Sequence, residues 1–215
     1  MAKTTPWQDD YWLPLMEVYL KKPTGMKPAY SPEMVALSLE LHIAPHILVQ
    51  RMKQLARLDT PRLERIWQTY GKNPQRLTRA VRLWREMKGF GAADEFYEGV
   101  EVNETFERDF RPLEEEPSLT PVALILILNL YYHLVPDTMV PQTPEVVAMA
   151  RLLKVQPTMV VEVLRLYQMC DPYLNRNDVS LSSLLVPCQQ VWQRISQLQP
   201  EQIEAFAEEL KAFYQ

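Results

Sequence analysis

The chain has 215 residues, 47% hydrophobic and 23% charged, which suffices for one large domain or two small ones around a real core and excludes a disordered tail. Five glycines against 18 prolines leave too little glycine for the phosphate-cradling turns of a nucleotide-binding α/β fold and too few turn signals for an all-β sandwich, so the expected class is all-α. The formal charge of −4 is uneven: residues 1–88 carry 15 Lys and Arg against 8 Asp and Glu, residues 89–120 carry Arg108 and Arg111 against ten acids, and residues 121–215 carry 6 bases against 9 acids.

In chain order, Met1 to Trp12 contains Asp9 and Asp10 and no apolar run, which argues against a signal peptide. An apolar helix is predicted over Trp12 to Leu20, followed by a proline-rich connection. Ser31-Pro32-Glu33 then supplies a hydroxyl N-cap, a proline at the first helical position and an acid on the positive end of the helix dipole. That helix should end near His42, and Pro45 should open the next, running to about Leu58. Thr60-Pro61 can cap a helix to Tyr70, stopped by Gly71; Asn73-Pro74 can cap another to Lys88, stopped by Gly89. Phe90, Phe96, Phe106 and Phe110, spaced among acids, predict a connecting segment that packs against something.

A second apolar helix is predicted over Pro121 to Leu134; the surrounding apolar stretch, Val122 to Val135, is too short to span a bilayer and reads as a buried helix with His133 as a core histidine. Thr143-Pro144-Glu145 opens a helix ending near Lys154, and Pro157 opens one reaching about Cys170. Asp171 to Ser183 reads as loop and Pro187 to Leu198 as helix. Pro200 to Tyr214 reads as an amphipathic helix burying Ile203, Phe206, Leu210 and Phe213.

Residues 31–59 laid over 143–171 without a gap, at an offset of 112, share eight identities in 29 positions, among them Pro32/Pro144, Glu33/Glu145, Leu41/Leu153, Pro45/Pro157 and Asp59/Asp171. Chance would give about two at typical residue frequencies. Conservative pairs include Ser31/Thr143, Ile43/Val155, Leu48/Val160 and Met52/Leu164, and the same offset pairs Tyr19 with Tyr131. The expectation is an internal duplication of one helical unit: residues 1–88 a basic N-terminal helical repeat, 89–120 an acidic, aromatic-containing connector, and 121–215 a C-terminal helical repeat.

In the second copy, Val147-Ala148-Met149-Ala150-Arg151-Leu152-Leu153-Lys154-Val155-Gln156-Pro157-Thr158-Met159-Val160-Val161-Glu162-Val163-Leu164 places a small residue, Ala150, where two helices cross. Leu153 and Val155 flank the turn, and Val160 and Leu164 anchor the second helix; the first copy offers Ser38, Leu41, Ile43, Leu48 and Met52 at those places. Each of these stretches, about 20 residues long, resembles the helix-turn-helix of bacterial DNA-binding domains. The turn position that favours glycine in that superfamily holds His42 and Lys154, which need φ above zero or a slightly different turn, and no β wing is expected.

The resemblance implies that the second helix of the first copy presents an outer stripe to the major groove, and positions 46, 50, 53 and 57 of that stripe hold His46, Gln50, Lys53 and Arg57. The same residues also fit a solvated face opposite Leu48, Met52 and Leu55. Arg76, Arg79, Arg82 and Arg85 spread over about half the circumference of the Pro74–Lys88 helix, as a phosphate-contacting flank or a solvated face, with the acids of residues 94–116 as candidates to neutralise it. The equivalent stripe of the second copy, Thr158, Glu162, Arg165 and Met169, is a poor nucleic-acid reader and fits protein packing better.

Catalytic chemistry has no signature here. Cys170 and Cys188 form no CxxC or zinc spacing, which points to a reduced, cytoplasmic setting, and His42 and His46 are separated by a turn and Pro45 rather than sharing one helix face. Glu114-Glu115-Glu116 is a loop charge run, without the fixed geometry of an acid/base pair. The sequence therefore leads to the expectation of a non-enzymatic regulatory protein that binds nucleic acid weakly through the N-terminal unit. The alternative is a protein-interaction module with a degenerate helix-turn-helix, with a protein partner or homo-oligomer; no cofactor, metal, membrane or small-molecule ligand is expected.

Overall fold

A computed structural model describes residues 7–88, 105–174 and 182–215, and the chain divides into two compact units at Thr105/Phe106. Among the described residues there are eleven α-helices and no strand, so the fold is all-α. Eight of these helices begin at a proline, because proline's fixed φ suits the first helical position, where its missing N–H costs nothing. The high proline content is thus helix punctuation. The expectations placed on Gly89, Phe90 and Phe96 lie outside the described residues, as does most of the loop expected over Asp171 to Ser183.

The first unit contains α1 (Trp12–Leu20), α2 (Pro32–Leu41), α3 (Pro45–Arg57), α4 (Pro61–Tyr70) and α5 (Pro74–Lys88). The bounds expected from the cap and proline signals are reproduced to within a residue. α2, α3 and α5 all pack on α1, whose Leu15 and Met16 are fully buried with Leu48 and Met52 of α3 and Val81 of α5. α4 pairs with α5, and its Trp67 meets Tyr19 edge-on with ring centroids 5.9 Å apart. Trp7 stacks edge-on with Tyr11 and Trp12, and the Arg51 guanidinium lies 5.0 Å from the Trp7 ring centroid, tying the start of the unit to α3.

The second unit contains α6 (Thr105–Asp109), α7 (Pro121–His133), α8 (Pro144–Leu153), α9 (Pro157–Cys170), α10 (Leu185–Ile195) and α11 (Pro200–Lys211), followed by a short 3₁₀ turn, Ala212–Tyr214. α7 is buried without interruption from Val122 to Tyr131, an apolar run broken only by Asn129, and α8, α9, α10 and α11 all pack on it. His133, expected in the core, is instead exposed: it is the last residue of α7, and its Nδ1 pairs with the Asn129 carbonyl at 2.8 Å. α10 begins at Leu185 and ends at Ile195, two residues earlier at its start and three earlier at its end than expected. On α11, Ile203, Ala207 and Leu210 are buried, while Phe206 is only partly so; Phe213, in the turn beyond, meets Phe110 at 5.1 Å between ring centroids. Phe110 and Leu119 are buried in this unit, so the described half of the acidic segment belongs to the second unit and is not a free connector.

The hairpins α2–α3 and α8–α9 start and turn at the same positions once the offset of 112 is applied. His42 and Lys154 both take the left-handed conformation, with φ of 54° and 59°, so these side chains adopt the backbone for which glycine is usually chosen. In each turn the next N–H reaches back five residues, Ile43 to the Ser38 carbonyl at 3.1 Å and Val155 to the Ala150 carbonyl at 3.0 Å. Ser38 and Ala150 are both buried, as small residues at a helix contact should be, and the Ser38 hydroxyl additionally donates to the Ile43 carbonyl.

Candidate functional site

α3 is amphipathic: Pro45, Leu48, Met52 and Leu55 are buried, and a side-chain advance of 100° per residue puts positions 46, 50, 53 and 57 on the opposite side. His46, Gln50, Lys53 and Arg57 are all exposed there, and none of these side chains makes a hydrogen bond or ion pair with another described residue. The structure thus places four candidate residues on one open stripe of the second helix of the hairpin.

The four arginines of α5 differ from one another in their surroundings. Arg79 is exposed and without an ion-pair partner among the described residues. Arg76 lies 5.6 Å from the Tyr70 ring centroid, and Arg82 pairs weakly with Glu86 at 3.6 Å. Arg85 is held from two sides: its Nε and Nη2 donate to both carboxylate oxygens of Glu40 at 2.8 and 3.0 Å, and its Nη1 lies 3.6 Å from Glu17. The hydrogen bonds to Glu40 push the Arg85 pKa up, with Glu17 adding to the effect. Its charge is largely spent inside the unit, so Arg76, Arg79 and Arg82 form the open part of the arginine row. α3 and α5 each pack on α1.

The matching stripe of α9 is different in kind. Thr158, Glu162 and Arg165 are exposed but Met169 is partly covered, and Glu162 accepts a hydrogen bond from the Ser182 hydroxyl at 2.8 Å. Beside the stripe, Val161, Val163, Leu166 and Gln168 are buried, whereas their counterparts Val49, Arg51, Gln54 and Ala56 on α3 are partly or fully exposed. The difference follows from α10, which packs directly on α9, and from the Gln168 amide donating to the Met139 sulfur at 2.9 Å.

Two described acids of the segment expected to neutralise the arginines pair within the second unit instead. Glu107 is buried and pairs with Arg111 at 3.3 Å, and Asp109 accepts from Arg194 at 2.8 Å. Burial raises the Asp109 pKa above the usual carboxylate value, and Arg194 opposes that shift.

The double anchoring of Arg85 was not legible in the sequence, because Glu40 lies 45 residues away and no periodicity links them. No group of three or more His, Cys, Asp or Glu able to hold a metal ion occurs among the described residues, and no helix there is long and apolar enough to cross a membrane. Comparison with family models, with curated proteins and with solved structures finds no match to this chain.

Proposed function

We propose that this chain is a non-enzymatic, cytoplasmic regulator that binds nucleic acid weakly through its first unit, with the α3 stripe as the contact surface and the α5 arginines as a flank. The observation that carries the reading is the open stripe itself: His46, Gln50, Lys53 and Arg57 are exposed together, with no hydrogen bond or ion pair to another described residue, on the second helix of a helix-turn-helix-like hairpin. Lys53 and Arg57 would neutralise phosphates, and Gln50 has the paired donor and acceptor that match an adenine edge. The second unit would then be a support, since Glu162 repels phosphate and α10 covers the flank of α9. Support also comes from the charge of residues 1–88, which is positive although the whole chain is negative.

The test is fluorescence anisotropy of a labelled mixed-sequence duplex with the full chain at several salt concentrations. Binding should fall steeply with salt, and the combined Lys53→Glu and Arg57→Glu substitution should abolish it. Arg79→Ala should weaken binding for all sequences alike and reduce the salt slope by about 1, the signature of a lost phosphate contact. Absence of binding by the folded chain at low salt would discard this reading in favour of a protein-interaction module.

A further inference from the structure

α5 carries two apolar stripes. The first, Leu77, Val81 and Trp84, is buried in the core of the first unit. The second, Ala80, Leu83 and Met87, lies on a different side of the helix and is open: Leu83 is 50% and Met87 68% exposed, and Ala80 is half-buried. Met26, Leu83 and Met87 are the exposed large hydrophobic residues in the described part of the first unit, so two of the three stand one turn apart on α5.

Nucleic-acid contact does not account for this stripe, because phosphates offer nothing against which Leu83 and Met87 could pack. Its spacing points to a helix. Positions 80, 83 and 87 follow one another at intervals of three and four, the repeat by which one helix seats a second along its length, and Arg76 continues the interval one turn back. Ala80 is small, so a second helix can approach closely there.

The charges beside the stripe specify those of its occupant. At 100° per residue, Arg79 and Arg82 flank it on the side away from the core. Arg79 has no ion-pair partner among the described residues, and Arg82 meets Glu86 at 3.6 Å with both side chains more than half exposed, a contact worth little in water. Arg76 lies against the Tyr70 ring, with no ion pair to a described carboxylate. Lys21 and Arg85, by contrast, are already paired with Glu33, Glu17 and Glu40.

We propose that the outer stripe of α5 is the docking surface for an acidic amphipathic helix of a partner protein. The partner's apolar residues recur at intervals of three and four, and Asp or Glu beside them face Arg76, Arg79 and Arg82. A bilayer fits less well, because α5 buries its other apolar stripe in the core and Leu83 and Met87 alone are too few to anchor it in lipid. Docking does not depend on the nucleic-acid reading; where both occur, they compete for the same arginines.

The probe is a labelled peptide of residues 199–214 of this chain, standing in for the partner helix. Its Ile203, Ala207, Leu210 and Tyr214 recur at intervals of four and three, and outside that stripe it carries Glu201, Glu204, Glu208 and Glu209. Titrated with the full chain at physiological salt and without nucleic acid, it should bind saturably. The same peptide with Glu201→Lys, Glu204→Lys, Glu208→Lys and Glu209→Lys should bind at least about tenfold more weakly. Leu83→Ser combined with Met87→Ser should leave the circular dichroism spectrum and melting temperature of the chain unchanged, since both side chains are exposed, and should weaken the acidic peptide about tenfold or more. Arg79→Glu should do the same. No saturable binding overturns the proposal, as does equal binding of the two peptides. Unchanged binding to the Leu83→Ser, Met87→Ser protein overturns it too, since the peptide would then sit elsewhere, for example in the place of α11. Cosedimentation of the chain with phosphatidylserine vesicles, lost in that same variant, would make the stripe a lipid surface and would also overturn it. With no nucleic acid present, each of these outcomes stands apart from the duplex-binding result.

Discussion

Lys154 occupies a backbone conformation that a side chain disfavours, yet the turn between α8 and α9 depends on it. A non-glycine residue in the left-handed region pays about 1–2 kcal/mol, and glycine would return about 0.5–1 kcal/mol of that through its freer unfolded chain. Lys154 is exposed, so Lys154→Gly should stabilise the second unit by up to about 1 kcal/mol, read as a higher urea midpoint. A lower midpoint would mean that the lysine side chain contributes more than its strain costs. The position itself was legible as a turn, for which the resemblance led to the expectation of a positive φ or a slightly different turn. Arg85 was not: alone in the sequence it looks like its neighbours Arg79 and Arg82, and only the approach of Glu17 and Glu40 from other helices separates it from them.

Helix starts could be read because their signals are local. Proline at the first position and a hydroxyl or amide before it mark the beginnings of α2, α4, α5, α7 and α8. Whether the marked side chain makes the capping bond is a separate matter. The Thr60 and Thr120 hydroxyls accept from the N–H groups of Leu63 and Ala123, and Asn73 does the same for Arg76. The Ser31 hydroxyl is buried without a partner among the described residues, and Thr143 turns its hydroxyl back to the Thr138 carbonyl. Thr120→Ala should therefore cost about 1–2 kcal/mol, because it loses a cap and the 2.9 Å bond to the Tyr214 hydroxyl. Ser31→Ala should be neutral or slightly stabilising, because an unpaired buried hydroxyl is removed. Chemical denaturation of both variants checks the contrast, and equal losses would show that Ser31 caps α2 after all.

At the scale of the molecule, two cores are present, each built around one apolar helix, and they should respond separately to damage. Ile203 and Leu210 are fully covered side chains worth about 1.5–3 kcal/mol each, a large share of the stability of a small domain. Ending the chain after Leu198 should unfold the second unit while the first keeps its core, so limited proteolysis should degrade residues beyond 106 and spare a fragment containing 7–88. Joint loss of both units would show that they fold as one. The sequence by itself determined the helical class, the starts of the helices that open at a proline and the amphipathic character of α3, because caps, prolines and the 3.6-residue period act over a few residues. Tertiary structure decided which cations stay open, placed Phe110 and Leu119 in the second core, buried the flank of α9 under α10 and left Leu83 and Met87 of α5 exposed. Those outcomes depend on which helix faces meet, and the residues involved, such as Glu40 and Arg85, are too far apart in the chain for any local pattern to record their meeting.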